Sequence, residues 1–216
     1  MNKKIKNANS HVYNGIKFKS KLEVNVYKTL IAEGFNPQYE KVKYILSEAI
    51  RPTVGFYKGE KGVLHYEMRP VHEITYTPDF TFKYKKILII IEAKGIPNDV
   101  YPVKKNLFRK MLEGLNGRIL FFEVRSIKDL KESINIIKME TSLLSKIRQG
   151  IPRLPEKDIA IANKYFSKRD FDSLLELVDS AIKRVKKNKV KYAGIEVAYL
   201  FKLREAVYEY REAQSV

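Results

Sequence analysis

Cysteine is absent from this chain, and acidic residues are scarce beside basic ones: 25 Asp plus Glu stand against 42 Lys plus Arg. Without thiols there are no disulfides, no thiolate nucleophile and no sulfur-ligated zinc finger. Redox chemistry therefore says nothing of the compartment, and the cytoplasm is the default expectation. No apolar run approaches the roughly 20 residues of a membrane-spanning helix. No signal-peptide pattern opens the chain, which starts instead with a short basic arm, Met1-Asn2-Lys3-Lys4-Ile5-Lys6. A phosphate-cradling Walker loop is missing too, since neither Gly55 nor Gly59 leads into a Gly-Lys-Ser/Thr ending, which disfavours an ATP-driven motor. The 3 histidines, His11, His65 and His72, lack metal-ligand spacing and read as surface or DNA-contacting residues. There is no internal repeat and no low-complexity tract.

What is abundant is positive charge, a formal +17 over 216 residues. A charge of this size attracts a polyanion through counterion release, which makes nucleic acid the expected partner and leaves a membrane as a weak alternative. With 44% hydrophobic residues, the chain can bury one core, or one core and a small appendage.

The pattern along the chain is helix, several strands, helix, strand, and then helices only. Ser20-Lys21-Leu22-Glu23 opens a helix with Leu22, Val26 and Leu30 on one stripe, and Gly34 stops it. Residues 38–46 read as a strand, and Pro52, Gly55, Gly59 and Gly62 punctuate a hairpin with a long loop over 47–72. Strands are expected over 77–84 and 87–93, joined by a tight Lys85-Lys86 turn. The second is apolar on both faces and so belongs in the middle of a covered sheet. A helix over 101–115, a turn at Asn116-Gly117, a strand over 118–124 and a helix over 127–147 follow. The segment 149–155, with Pro152 and Pro155, reads as a linker to helices that include a Phe171, Leu174, Leu175, Val178, Ile182, Val185 face and a last helix over 192–212. The fold class is α/β: a mixed central sheet flanked by helices over 1–148, with an α-helical extension over 149–216.

Chemistry concentrates in the sheet. Two acid-x-Lys triplets occur, Asp129-Leu130-Lys131 and Glu92-Ala93-Lys94, but only the second ends an apolar run, Ile87 to Ile91, and precedes a glycine. On the neighbouring strand, Tyr76-Thr77-Pro78-Asp79-Phe80 supplies another acid. Placing Glu92 and Lys94 at the lip of a buried strand costs desolvation unless a partner or metal is present. A plain Glu92 to Lys94 ion pair is the competing reading, because residues two apart on a strand share a face. Asp79, Glu92 and the Ala93 carbonyl are hard oxygen donors that suit Mg²⁺, and Lys94 beside them suits proton and charge management in phosphodiester hydrolysis. Glu23 is a candidate fourth member at a second metal position. A capping box with Ser20 accounts equally well for its placement.

Phe18-Lys19-Ser20-Lys21-Leu22-Glu23, Gly34 followed by Tyr39-Glu40, Tyr76-Thr77-Pro78-Asp79-Phe80 and Glu92-Ala93-Lys94-Gly95 occur in that order. Over about residues 15–125 the chain thereby resembles the phage endonuclease I family of Holliday-junction resolvases, of the PD-(D/E)XK nuclease superfamily. The resemblance implies a restriction-endonuclease-like core in which Glu23, Asp79, Glu92 and Lys94 are catalytic. It also implies Mg²⁺ or Mn²⁺, two ions per site, and a homodimer that exchanges segments and cuts branched DNA, in the host cytoplasm for a phage protein. The chain departs from the family pattern at Gln38, where an acid can stand, and in a longer segment between Glu40 and Tyr76. The helices after Pro155 have no counterpart and are candidates for binding a protein partner.

Lys17, Lys19, Lys104, Lys105 and Arg109 are the basic candidates for phosphate contacts. Tyr13, Tyr39 and Tyr101 are candidates for stacking on splayed bases, with ordinary packing as the competing reading. Two rival functions remain: a PD-(D/E)XK nuclease acting on linear duplex in restriction or repair, and an inactive nuclease fold serving as a DNA-binding or structural protein.

Overall fold

The computed structural model describes residues 10–95, 99–189 and 191–214. The N-terminal basic arm lies outside the described residues. Two compact units divide between Ser133 and Ile134, which is earlier than the boundary expected after residue 148.

The first unit is mixed α/β. Its main sheet has the order β10 (Ile119–Val124), β9 (Ile87–Ala93), β8 (Phe80–Tyr84), β3 (Gln38–Tyr39). Strand β9 runs parallel to β10 and antiparallel to β8, and β3 is antiparallel to β8. The Ile-rich β9 is buried along almost its whole length, as expected of a strand with neighbours on both edges and cover on both faces. Helix α2 (Tyr101–Glu113) lies in the connection between the parallel strands β9 and β10, and packs Tyr101, Phe108 and Leu112 with Ile90 and Tyr76. Phe108 sits among Tyr44, Tyr76 and Phe121 with ring centroids 5.0, 4.4 and 5.3 Å away.

Helix α1 (Lys21–Ala32) starts where Ser20 Oγ accepts from the Glu23 N–H, and ends at Gly34, whose φ of +81° suits glycine. The Gly34 and Phe35 amides close that end by donating to the Ile31 and Leu30 carbonyls. Hairpin β1 (His11–Tyr13) and β2 (Ile16–Phe18) precedes it. The expected strand over 38–46 is broken in two: Glu40 has φ +46°, and the chain resumes as β4 (Tyr44–Ser47), paired with β7 (Ile74–Tyr76) rather than with the main sheet. Similarly, Thr77 and Pro78 separate β7 from β8, so the strand expected from residue 77 begins at Phe80. Between them, β5 (Phe56–Glu60) and β6 (Val63–Glu67) form the expected hairpin around Lys61-Gly62.

Helix α3 (Ile127–Gly150) begins in the first unit and ends in the second. There Leu143 and Ile147 join a helical core with α4 (Glu156–Lys168), α5 (Phe171–Lys187) and α6 (Val197–Glu212). The apolar face expected on α5 is the buried one. The expected linker is ordered packing instead: Ile151–Arg153 form a 3-10 turn, and Ile151 and Leu154 are buried. Gly194, at φ +89°, delays the last helix until Val197, so its buried face is Leu200, Leu203, Ala206, Val207 and Tyr210, whereas Ala198 is exposed. Among the described residues, no helix is long and apolar enough to cross a membrane.

Candidate active site

Strand pairing brings the two acids together. Phe80 pairs with Ile91 in the antiparallel β8–β9 register, and one residue beyond that pair Asp79 comes opposite Glu92. Asp79 Oδ2 accepts from the Ala93 N–H at 2.7 Å, which ties the start of β8 to the end of β9. Both acids are buried, at 9% and 6% exposure. Burial, and then the neighbouring Glu92 charge, push the Asp79 carboxyl up to about 8, against the Ala93 N–H that favours its anion. Burial also raises Glu92, opposed by Tyr76 and Lys94. Two carboxylates in one dry spot cannot both ionise cheaply, so without a cation the pair holds a proton near neutrality.

Lys94 follows directly on β9. Its amide donates to the Val124 carbonyl at 2.8 Å, and its ammonium lies 3.7 Å from Glu92 Oε1 and 4.3 Å from the Tyr101 ring centroid. The other Glu92 oxygen, Oε2, is buried with no hydrogen-bond partner, as are the Tyr76 hydroxyl and Thr81 Oγ1. A buried carboxylate oxygen left without a donor is expensive. Mg²⁺ beside Asp79 would satisfy it, since that ion takes one or two carboxylates and keeps several waters. Among the described residues, no group of three or more His, Asp or Glu is arranged to hold a metal. The acids that converge are therefore Asp79 and Glu92, and the Ala93 carbonyl is the further oxygen donor expected from the sequence.

Glu23 is buried but committed elsewhere. Its Oε2 accepts from the Lys19 N–H at 2.8 Å and from the Tyr39 hydroxyl at 2.6 Å, and its Oε1 accepts from the Ser20 hydroxyl at 2.9 Å. Glu23 does lie close enough for its charge to raise Asp79. The Lys19 ammonium pairs with Glu40, and the Glu40 amide donates to the Asp79 carbonyl at 2.8 Å. Glu40 thus anchors the entrance of β8.

The basic candidates divide. Lys17 and Arg109 are exposed. Lys104 donates to the Thr75 carbonyl at 3.2 Å, and Lys105 pairs with Glu123 at 2.9 Å, so both already serve the fold. Tyr39 and Tyr101 are packing residues: Tyr39 lies against Phe18 and Phe80, and Tyr101 is buried. Tyr13 stands edge-on to Tyr27 beneath the Lys28 ammonium. Sequence reasoning missed Tyr76, the underside of Lys94, and Glu123. The spacing of Tyr101 with the buried Phe108 and Leu112 along α2 is a signal that would have pointed Tyr101 inward. Compared with protein-family models, with curated proteins and with solved structures, the chain finds no match.

Proposed function

We propose that the first unit is a metal-dependent DNA endonuclease with a PD-(D/E)XK-type core, acting as a homodimer on branched DNA such as four-way junctions. The observation that carries this reading is the buried Asp79–Glu92 pair with the Lys94 ammonium 3.7 Å from Glu92. Asp79, Glu92 and the Ala93 carbonyl would hold Mg²⁺ or Mn²⁺, which when bound supplies Lewis acidity toward the scissile phosphate. Lys94 would orient or deprotonate the attacking water, or offset negative charge as it develops. A second ion at Glu23 requires that carboxylate to release Tyr39.

The overall +17 charge supports a DNA substrate, with exposed Lys17 and Arg109 as the freest of the candidate phosphate contacts. Hairpin β5–β6 supports the homodimer: Phe56, Tyr57, Val63, Leu64 and Tyr66 are all more than half exposed there, an apolar display that monomers rarely leave open. The helical unit is the part available to a protein partner, and the cytoplasm is the compartment that suits such an enzyme.

The test is cleavage in Mg²⁺ of a labelled four-way junction and of a matched linear duplex, with Glu92→Ala as control. Preferential, Glu92-dependent cutting of the junction supports the proposal. Equal cutting of both sinks its junction preference in favour of a linear-duplex nuclease. Tight binding without cutting of either would show a nuclease fold used as a scaffold.

A further inference from the structure

Among the described residues, Lys94 makes no close hydrogen bond to a carboxylate. Its nearest acid oxygen, at 3.7 Å, is beyond ordinary hydrogen-bond length. What lies beneath the ammonium is the face of Tyr101, 4.3 Å from the ring centroid. That ring is itself fixed. Tyr101 is 5% exposed, opens α2, and donates through its hydroxyl to Glu123 Oε2 at 2.9 Å.

Glu123 has a second task. Lys105, one turn along α2 from Tyr101, brings its ammonium 5.5 Å from the same ring centroid, so two cations share one ring. Glu123 takes Lys105 at 2.9 Å and Arg125 at 2.9 Å, leaving Lys94 the nearer cation to the ring. Those cations and the Tyr101 hydroxyl hold the Glu123 carboxyl down to about 2, so it stays charged under all ordinary conditions. In the parallel register Glu123 stands beside Glu92. The two acids thus share a face of the sheet, Glu92 next to Lys94 and Glu123 holding Tyr101 and Lys105.

We infer that Tyr101, anchored by Glu123, is a positioning residue for Lys94: the ring sets where the ammonium stands, and Glu123 keeps Lys105 from displacing it. A cation over an aromatic face is held without being neutralised. A full ion pair with Glu92 would hold Lys94 more tightly but would spend the charge that the reaction needs. This role rests on the nuclease reading of the site, and its test has one arm that does not.

In the first arm, lysine amines of the full chain are ¹³C-methylated, and the Lys94 signal is identified by its loss in Lys94→Arg. In wild type that signal should be displaced upfield by the ring. Tyr101→Leu should return it to the position of a solvent-exposed lysine, and Tyr101→Phe, which keeps the ring, should leave most of the displacement. A Lys94 signal that is unshifted in wild type, or unmoved by Tyr101→Leu, overturns the inference even if the protein cuts DNA. The second arm is single-turnover cleavage of whichever DNA the wild type cuts. Tyr101→Leu should lower the rate constant about tenfold with little change in DNA affinity, and Tyr101→Phe should restore most of it. The double variant Tyr101→Leu/Lys94→Ala should be no slower than Lys94→Ala alone, within about twofold. Additive losses, or a loss of DNA binding alone, would show Tyr101 to be ordinary packing. A wild type that cuts no DNA in Mg²⁺ or Mn²⁺ defeats the nuclease reading instead, and the Lys94 signal then decides the positioning alone.

Discussion

Replacing Asp79 by Asn should remove most of the pH dependence of stability that the candidate site imposes. In the unfolded chain an aspartate titrates near 3.8, whereas in the folded protein burial and the Glu92 charge lift Asp79 to about 8. The folded state therefore binds the proton more tightly than the unfolded one. The stability it contributes is full below about pH 4, and is lost progressively as pH rises through the folded value. Each pH unit inside that window costs about 1.4 kcal/mol for one proton. Between about pH 5.5 and pH 7.5 the site should destabilise the metal-free protein by about 2.5 kcal/mol, with the slope flattening toward pH 8. Asn keeps the shape and an oxygen for the Ala93 N–H but carries no charge. Urea unfolding in excess chelator at the two pH values measures the difference. Wild type should lose about 2.5 kcal/mol more than Asp79→Asn over that interval. Parallel pH profiles for the two proteins would refute the claim that Asp79 is buried against a second acid. Adding Mg²⁺ should stabilise wild type more at about pH 8 than at about pH 6, because the ion must displace a proton at the lower pH, and should do little for Asp79→Asn.

Other perturbations address the supports of the site and the second unit. Phe108→Ala empties a fully buried position ringed by Tyr44, Tyr76 and Phe121, and thermal or urea unfolding should show a loss of about 3–5 kcal/mol. Gly150→Ala would ordinarily favour a helix by up to about 1 kcal/mol. Here the new Cβ would meet Leu203 side-chain carbons at 2.8 and 2.9 Å, so a net destabilisation of about 1–3 kcal/mol is expected in the same assay. Leu64→Glu, at a position 69% exposed on the β5–β6 hairpin, should change monomer stability by no more than about 0.5 kcal/mol. Sedimentation should nonetheless show weakened self-association, and an unchanged sedimentation profile would remove the hairpin from the dimer interface.

Periodicity revealed those elements whose pattern and end signals agree. Strand β9 was legible because Ile87–Ile91 is apolar without interruption, and α1 because Ser20 and Gly34 mark both ends. The failures have local causes. Gln38 to Leu46 reads as one strand because its residues favour extended backbone, yet Glu40 turns into the left-handed region and diverts the chain from β8 to β7. A non-glycine residue in that conformation leaves no signature in sequence. The segment around Pro152 and Pro155 resembles a linker because prolines punctuate it, but tertiary packing buries Ile151 and Leu154. Asp79, Glu92 and Lys94 could be paired from strand order alone. Glu23 could not be resolved that way, since a capping carboxylate and a metal ligand demand the same spacing, and only the Tyr39 and Lys19 hydrogen bonds show how it is occupied.

The placement of charge makes the basic field and the acidic site interdependent. A chain carrying +17 draws a polyanion to its surface without selecting a bond to act on. The buried Asp79–Glu92 pair does the opposite: alone and ionised, it would repel the phosphate brought near it. A bound divalent cation would reconcile the two, because its charge would offset both acids and leave the Lys94 ammonium as net positive charge beside the phosphate, while the ion would supply Lewis acidity. Lys94 supplies that charge only while Glu92 does not consume it, and an ammonium resting on Tyr101 at 4.3 Å rather than in a tight ion pair meets that condition. Glu123 meets the matching condition on the other side, since it holds Lys105, whose ammonium lies 5.5 Å from the Tyr101 ring centroid, away from the ring that carries Lys94. The arrangement thus leaves positive charge loosely held in two places: at the surface, where a polyanion would arrive, and at Lys94, 3.7 Å from Glu92, where the proposed reaction would need it.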